Sequence, residues 1–417
     1  MLLCYSMKKR NDFVQAALLS SGLAFILLLF TYYYWNRSYT YGYGDDIIAR
    51  AAMIKDLTVE DDYDGSNVVP VNVAYDKVLI PHVDERDGTV AGVKAITDRG
   101  KMLSFLKMLK DRDMYEYVVC DVNFDDYQTE YDDELFRTIA SMRDIVVASN
   151  NPAEVSEIIR EKTVRAYYKV RKVGDDFMKY EYLYPDGEPG MALRIWEDIT
   201  GGELKERWWG YTMNGKICVR SIVPDFRYSI YDDITDAYER SVKNVNVYTS
   251  RIYNLGAHVV EPYEKGLTSG KFFDGKIILI GDLTDQDIHD TIVGAQSGTV
   301  IIFNAFLALL NGDNIIPFWV YLLLFVVFWL ESMFLFRHKF GLKISSLKIV
   351  RRIRVCCLRK LSLKGRNRLN GFLGILLDFV SYSTPLVLVA LFIYAVCGIF
   401  VNAIIIGVIF FTISLFV

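Results

Sequence analysis

The chain has 417 residues, a net charge of -4, 52% apolar residues and a positive mean hydropathy, which leaves room for two or three domains and sets a membrane-embedded part beside a soluble one. Its charge is divided along the sequence: residues 37–316 hold 32 basic against 48 acidic side chains, whereas Arg337 to Gly371 holds twelve Lys or Arg and no Asp or Glu. So acidic an expanse is excluded as a nucleic-acid surface, because phosphates need basic partners.

Residues 1–12 carry Lys8, Lys9 and Arg10 and read as a cytoplasmic tail. Phe13 to Trp35 follows, 23 residues without a charge, long enough to cross a hydrocarbon core of roughly 30 Å. It ends in Tyr32-Tyr33-Tyr34-Trp35, an aromatic cluster suited to the far interface. A cleaved signal peptide is the alternative. It would want a shorter apolar core and a small-x-small site, which the aromatic run does not offer, so an uncleaved anchor is expected.

Residues 37–314 have the punctuation of an α/β domain. Lys77 to Ile80, Tyr117 to Cys120, Ile145 to Ala148 and Lys276 to Ile280 are short apolar runs of the kind buried on both faces of a sheet. Met102-Leu103, Leu106 and Leu109 are spaced for one helix face, and Leu135-Phe136, Ile139-Ala140 and Met142 for another. Alternation of strand and helix predicts a mixed, largely parallel sheet with right-handed crossovers. From 163 to 260 this rhythm breaks: Tyr167 to Val170 and Tyr180 to Tyr184 alternate like exposed antiparallel strands, with Pro185-Asp186-Gly187 as a turn. A β-rich insertion is expected there. Cys120 and Cys218 are the two cysteines of the domain and are expected as buried thiols, although one disulfide is the alternative in an oxidising space.

Chemistry-bearing residues gather in two acidic clusters, Asp121, Asp125, Asp126, Asp132 and Asp133, and Asp282, Asp285, Asp287, His289 and Asp290. The second follows a strand, where α/β domains bind ligands, and alternating oxygens can hold Ca²⁺. The spacing lacks the Gly and terminal Glu of a calcium loop, so a solvated acidic loop is the simpler reading and no metal site is assigned. Cys356 and Cys357 have no partners at zinc-ligand spacing. With four His and no nucleophile elbow, phosphate loop or zinc-protease motif, neither an enzyme nor a cofactor is expected.

After the domain, 315–336 forms an apolar run broken by Glu331, 337–371 is the basic loop, and Phe372 to Val417 has 46 residues with Asp378 as its single charge, enough for two spans, 372–396 and 399–417. With the basic loop inside, the four spans place both termini in the cytoplasm and 37–314 outside an inner membrane. Glu331 and Asp378 either mark an ion path or reach the interface and pair with Arg337, Lys339 or Arg368, the second being the simpler account. Within the basic loop, Lys343, Lys348, Arg351, Arg352 and Arg354 fall on one side of a helical wheel, suited to anionic inner-leaflet lipid or to an acidic partner protein.

One ordering is more specific. Gly275-Lys276, an apolar strand ending in Gly281, an acidic loop to Asp290, Gly298, and a helix with Asn304-Ala305 resemble the end of the type-2 CHASE family, the cyclase and histidine-kinase associated extracellular sensory domains. By the same resemblance Val78 to Asp84 matches the family's first strand and Asp, Arg99 its following Arg, Cys120 to Phe124 its second strand with Asp121, and Asp132-Asp133 its acidic pair. Ala95-Ile96-Thr97-Asp98 stands where the family has Trp-Pro. The resemblance covers about residues 45–415 and includes one span before the sensor and three after. It implies ligand binding by Asp84, Arg99, Asp121 and Asp290, and a signal passed to a separately encoded effector, since no kinase or cyclase follows here. A homodimer is compatible, although no heptad or strong small-x-x-x-small pattern is read in the first span. A structural or assembly subunit of a membrane complex is the alternative function.

Overall fold

A computed structural model describes residues 2–35, 65–83, 90–124, 128–166, 180–184, 186–222, 226–231, 248–291, 294–337, 380, 382–399, 401 and 403–414. The chain divides into two compact units, Met53–Asn314 on one side and Met1–Ala52 with Ile315–Val417 on the other.

The first unit is built on six strands, β1 (Val68–Asn72), β2 (Tyr117–Asp121), β3 (Ile145–Ser149), β4 (Thr163–Arg165), β5 (Tyr253–Asn254) and β6 (Ile277–Gly281). They lie in the order β5-β1-β6-β2-β3-β4, and every pairing is parallel. The largely parallel α/β sheet expected from the sequence is therefore present. Because side chains alternate across a strand, the Val-rich runs supply both faces. Val119, Val146 and Leu279 pack on one side against α4 (Met191–Thr200) and α5 (Gly298–Asn311). Val118, Val147 and Ile280 pack on the other, against α2 (Arg99–Arg112), α3 (Asp132–Ser141) and the helical turns Leu255–Val260. Asp98 caps α2 by accepting the Lys101 N–H at 3.1 Å, and Asp113 ends it in the left-handed conformation.

Two expectations are corrected. Lys77 to Ile80 is not a sheet strand: it belongs to a hairpin, Lys77–Val83 against Val90–Thr97, with Leu79 70% exposed. Three apolar residues do not reveal whether both faces will be covered, and here Leu79 faces outward. The true first strand, β1, contains Pro70, which argues against an interior strand. The β5 ladder starts at Val71, so beside Pro70 one side of β1 is unpaired. The tyrosines at 180, 182 and 184 are likewise not on an exposed ribbon. All three are buried, next to a buried ion pair between Arg220 and Glu181. The stretch 167–170 lies outside the described residues. Cys120 and Cys218 are both buried free thiols, and burial pushes each up to about 12.

In the second unit, α1 (Leu2–Trp35) packs along α6 (Phe318–Arg337). Trp35 meets Tyr321 edge-on at 6.2 Å while Trp329 Nε1 donates to Ala17 O at 3.4 Å, so the two helices run in opposite directions. Among the described residues, two segments are long and apolar enough to cross a membrane, Phe13–Tyr33 and Phe318–Phe336. The expected third and fourth spans correspond to shorter helices, Tyr382–Cys397 and Ala403–Ser414. The buried face of α1 includes Ala16, Ser20 and Ala24, a small-x-x-x-small stripe that the sequence reading passed over. Glu331 is buried, and no salt bridge to it occurs among the described residues. Asp378 lies outside them.

Asn304, part of the family resemblance, has a structural task. Its Oδ1 accepts the Tyr228 N–H at 3.0 Å and its Nδ2 donates to Tyr228 O at 2.8 Å, which ties α5 to the insertion strand Tyr228–Tyr231 in a fully buried position. Asn304→Ala leaves a buried N–H and C=O unsatisfied and is expected to cost at least about 2 kcal/mol. A thermal melt of the detergent-solubilised protein measures this, and an unchanged midpoint would show that the clamp is dispensable.

Candidate functional site

Parallel strands deliver all their carboxyl ends to one edge, and there the chain leaves β2 at Asp121, β3 at Ser149 and β6 at Gly281. At this edge a cavity of about 250 Å³ is lined by Asp121, Asn123, Ala148, Ser149, Asn150, Ala166, Asp287, His289 and Ile302. The position is the one where open α/β sheets bind ligands.

The wall from the acidic loop is a short hairpin, Ile288–Thr291 against Gly294–Ser297. It leads into α5, which Ser297 caps through its hydroxyl, with Thr299 in the first turn. Thr299 Oγ1 donates to Asp121 Oδ2 at 3.0 Å, and His289 Nε2 lies 2.9 Å from Asp287 Oδ1. Two glycines permit these approaches. A Cβ on Gly281 would stand 2.0 Å from Thr299 Oγ1, and one on Gly298 would stand 2.2 Å from Asp287 Oδ2. Burial pushes the Asp121 carboxyl up to about 7, and the negative charge of Asp287 adds to this, while the Thr299 hydroxyl and His289 oppose it.

Of the four residues expected to bind ligand, Asp121 lines the cavity. Asp290 does not: on its strand it points away from the side that Asp287 and His289 share, and it is exposed. Within the acidic loop, period 2 places Asp287 and His289, not Asp290, on the cavity side. Arg99 is buried behind the site. Its guanidinium lies 4.2 Å from the Phe124 ring, donates to Asn123 O at 3.1 Å, and faces Asp132 with Nε to Oδ1 at 3.7 Å. Asp132 in turn accepts the Thr129 N–H at 2.8 Å. The guanidinium of Arg99 and the carboxylate of Asp132 are thus engaged by Phe124, Asn123, Thr129 and each other. Asp84 and Asp125 and Asp126 lie outside the described residues, as do Lys343, Lys348, Arg351, Arg352 and Arg354.

The acidic cluster after β6 divides in two. Lys77 Nζ reaches Asp282 at 2.9 Å and Asp285 at 3.4 Å, leaving Asp287 and His289 to the cavity. Among the described residues no group of three His, Cys, Asp or Glu is arranged to hold a metal. Ser149, Asn150, Asp287, His289 and Thr299 were not singled out individually as ligands from sequence. The Ser-Gly-Thr preceding an apolar helix is an N-cap signature that could have placed Thr299 at the strand edge.

Comparison of the chain with protein-family models, with curated proteins and with solved structures gives no match in any of the three.

Two outcomes follow from this geometry. Arg99→Met leaves Asp132 buried without its cation and is expected to cost about 3–5 kcal/mol, with the double replacement Arg99→Met, Asp132→Leu recovering part of the loss; chemical or thermal unfolding of the three proteins decides it. Because the folded Asp121 keeps its proton up to about pH 7 whereas an unfolded Asp releases it near 4, its contribution to stability falls as pH rises through that window and is constant above it. The melting point of Asp121→Asn minus that of the parent should therefore rise by several degrees from pH 5 to pH 8. A flat difference would mean that Asp121 is not held in its neutral form.

Proposed function

We propose that the chain is a membrane-anchored extracytoplasmic sensor of the type-2 CHASE kind, which binds a small polar ligand in the Asp121 cavity and passes the signal to a separately encoded effector. The observation that carries this reading is the course of α5. It begins in the cavity wall, with Thr299 on Asp121 and Ile302 lining the space, and ends at Asn311, six residues before α6. A ligand that prefers one arrangement of Asp121 and Thr299 biases the position of a helix that the chain continues into a membrane span. Enzymatic activity is not part of this proposal.

The topology belongs to the same proposal. Four spans, with 37–314 outside and both termini in the cytoplasm of a multi-pass inner-membrane protein, agree with the antiparallel packing of α1 and α6 and with the basic loop that follows α6. Gly398, in the left-handed conformation between the two shorter apolar helices, suits the tight turn of a hairpin. In this arrangement Lys343, Lys348, Arg351, Arg352 and Arg354 face inner-leaflet lipid and the effector.

Photocrosslinking amino acids placed at Lys348 and Arg352 in intact cells test the reading. A protein adduct is expected whose yield changes in Asp121→Asn; recovery of lipid adducts alone would remove the separate effector. The same adduct at unchanged yield would favour a constitutive assembly subunit over a sensor.

A further inference from the structure

Buried acids elsewhere in the domain are matched by lysine or arginine: Asp76 by Lys101 at 2.6 Å, Asp132 by Arg99, Asp313 by Arg227 at 2.8 Å, and Glu181 by Arg220. The cavity departs from that rule. Its lining has two carboxylates and one imidazole, and neither a lysine nor an arginine. Asp121 takes a neutral hydroxyl from Thr299 on Oδ2, which leaves Oδ1 for the space that Asp121 lines. Asp287 takes His289 on Oδ1, while its other oxygen is seated against Gly298.

Resting on the sensor reading above, we propose that the ligand is a small primary amine, bound as its ammonium ion between Asp121 and Asp287. An ammonium brings compact positive charge and three donors, which suits an Asp121 carboxylate bonded to a neutral hydroxyl and an Asp287 carboxylate beside one imidazole, neither of which meets a lysine or arginine among the described residues. An anion would meet two carboxylates, and the α5 N-terminus that could attract one is already occupied by Asp287 and by Thr299 with Asp121. A bare metal ion is disfavoured by the donor set, because calcium asks for six to eight oxygens and the imidazole nitrogen facing Asp287 is committed.

Size and lining narrow the class further. About 250 Å³ is below the range of drug-sized pockets, so the amine is short. Ala148, Ala166 and Ile302 offer an apolar wall for a few carbons, and Asn150 stands among the polar lining. A short aliphatic amine, with or without a second polar group, fits this wall. The two glycines make the seat rigid, since any side chain at 281 or 298 would collide with Thr299 or Asp287.

The test uses the full chain in detergent at pH 8, melted with ethanolamine, ethylamine or putrescine, and with acetate, ethylene glycol and Ca²⁺ as contrasts. A saturable rise in melting point with the amines is expected, weakened about tenfold or more in Asp121→Asn and in Asp287→Asn. Ile302→Phe, which fills the cavity without touching a charge, should abolish the response and guards against a merely misfolded Asp variant. An amine response equal in the parent and all three variants would overturn the proposal. So would an Asp121-dependent response to acetate, glycol or Ca²⁺ without one to amines; that result would leave the cavity sensor standing with another ligand class. If no compound shifts the melting point and the crosslinking yield ignores Asp121→Asn, the sensor reading falls with it.

Discussion

Six parallel strands place six carboxyl ends on one edge of a sheet, and the chain must then satisfy every polar group that emerges there. In antiparallel sheets this demand is shared between two edges and met by tight turns; here it is concentrated. Asn72 shows how one strand answers it. Its Oδ1 accepts the Ala74 and Leu283 N–H groups at 3.1 and 3.0 Å, and its Nδ2 donates to Asn254 Oδ1 and Thr284 Oγ1 at 3.1 and 3.0 Å. One side chain thus binds the exits of β1, β5 and β6 together. Over β2 the same edge is finished differently, with Asp121 answered by a single hydroxyl and a cavity left open beside it.

The contrast between these two finishes is electrostatic. A closed network of neutral amides costs little to bury, because each donor meets an acceptor. A pair of carboxylates in a partly enclosed space is costly unless a proton or a cation joins them. That is why burial and Asp287 together hold Asp121 so far above an ordinary aspartic acid. Its surroundings are closely packed: Arg99 faces Asp132 and donates to Asn123 O, and Gly281 and Gly298 admit contacts that a methyl group would block.

Much of the fold was legible in the sequence, for identifiable reasons. The runs at 117–120, 145–148 and 276–280 are uninterrupted and β-branched, and each is a buried strand; the leucine spacings at 102–109 and 135–142 each mark a helix. The errors lie where local pattern and environment part. Pro70 hid β1, because the pairing that excuses a proline is made by residues almost two hundred positions away. Leu79 and its neighbours look like core and are not, since the pattern of a four-residue run does not say what lies above it. The same holds for the site. Asp121 was recognisable as a carboxylate at a strand end, but the choice of Asp287 over Asp290 depends on the register of a hairpin, and Thr299 on a bond to a residue 178 positions earlier. Arg99 was read as a ligand contact; that its guanidinium faces the buried Asp132 is a pairing that sequence spacing does not reveal.

The helix α5 joins these levels. It is held at its start by Thr299 on Asp121, at its middle by Asn304 on the insertion strand, and just past its end by Arg227 on Asp313 and by Tyr182 on Asn314. These anchors tie it to strand β2 and to the insertion, and all along the helix the flank is buried against sheet and insertion. A helix pinned in this way cannot bend freely in response to a change at one end; it shifts as a unit or not at all, because packed interiors transmit small displacements instead of absorbing them.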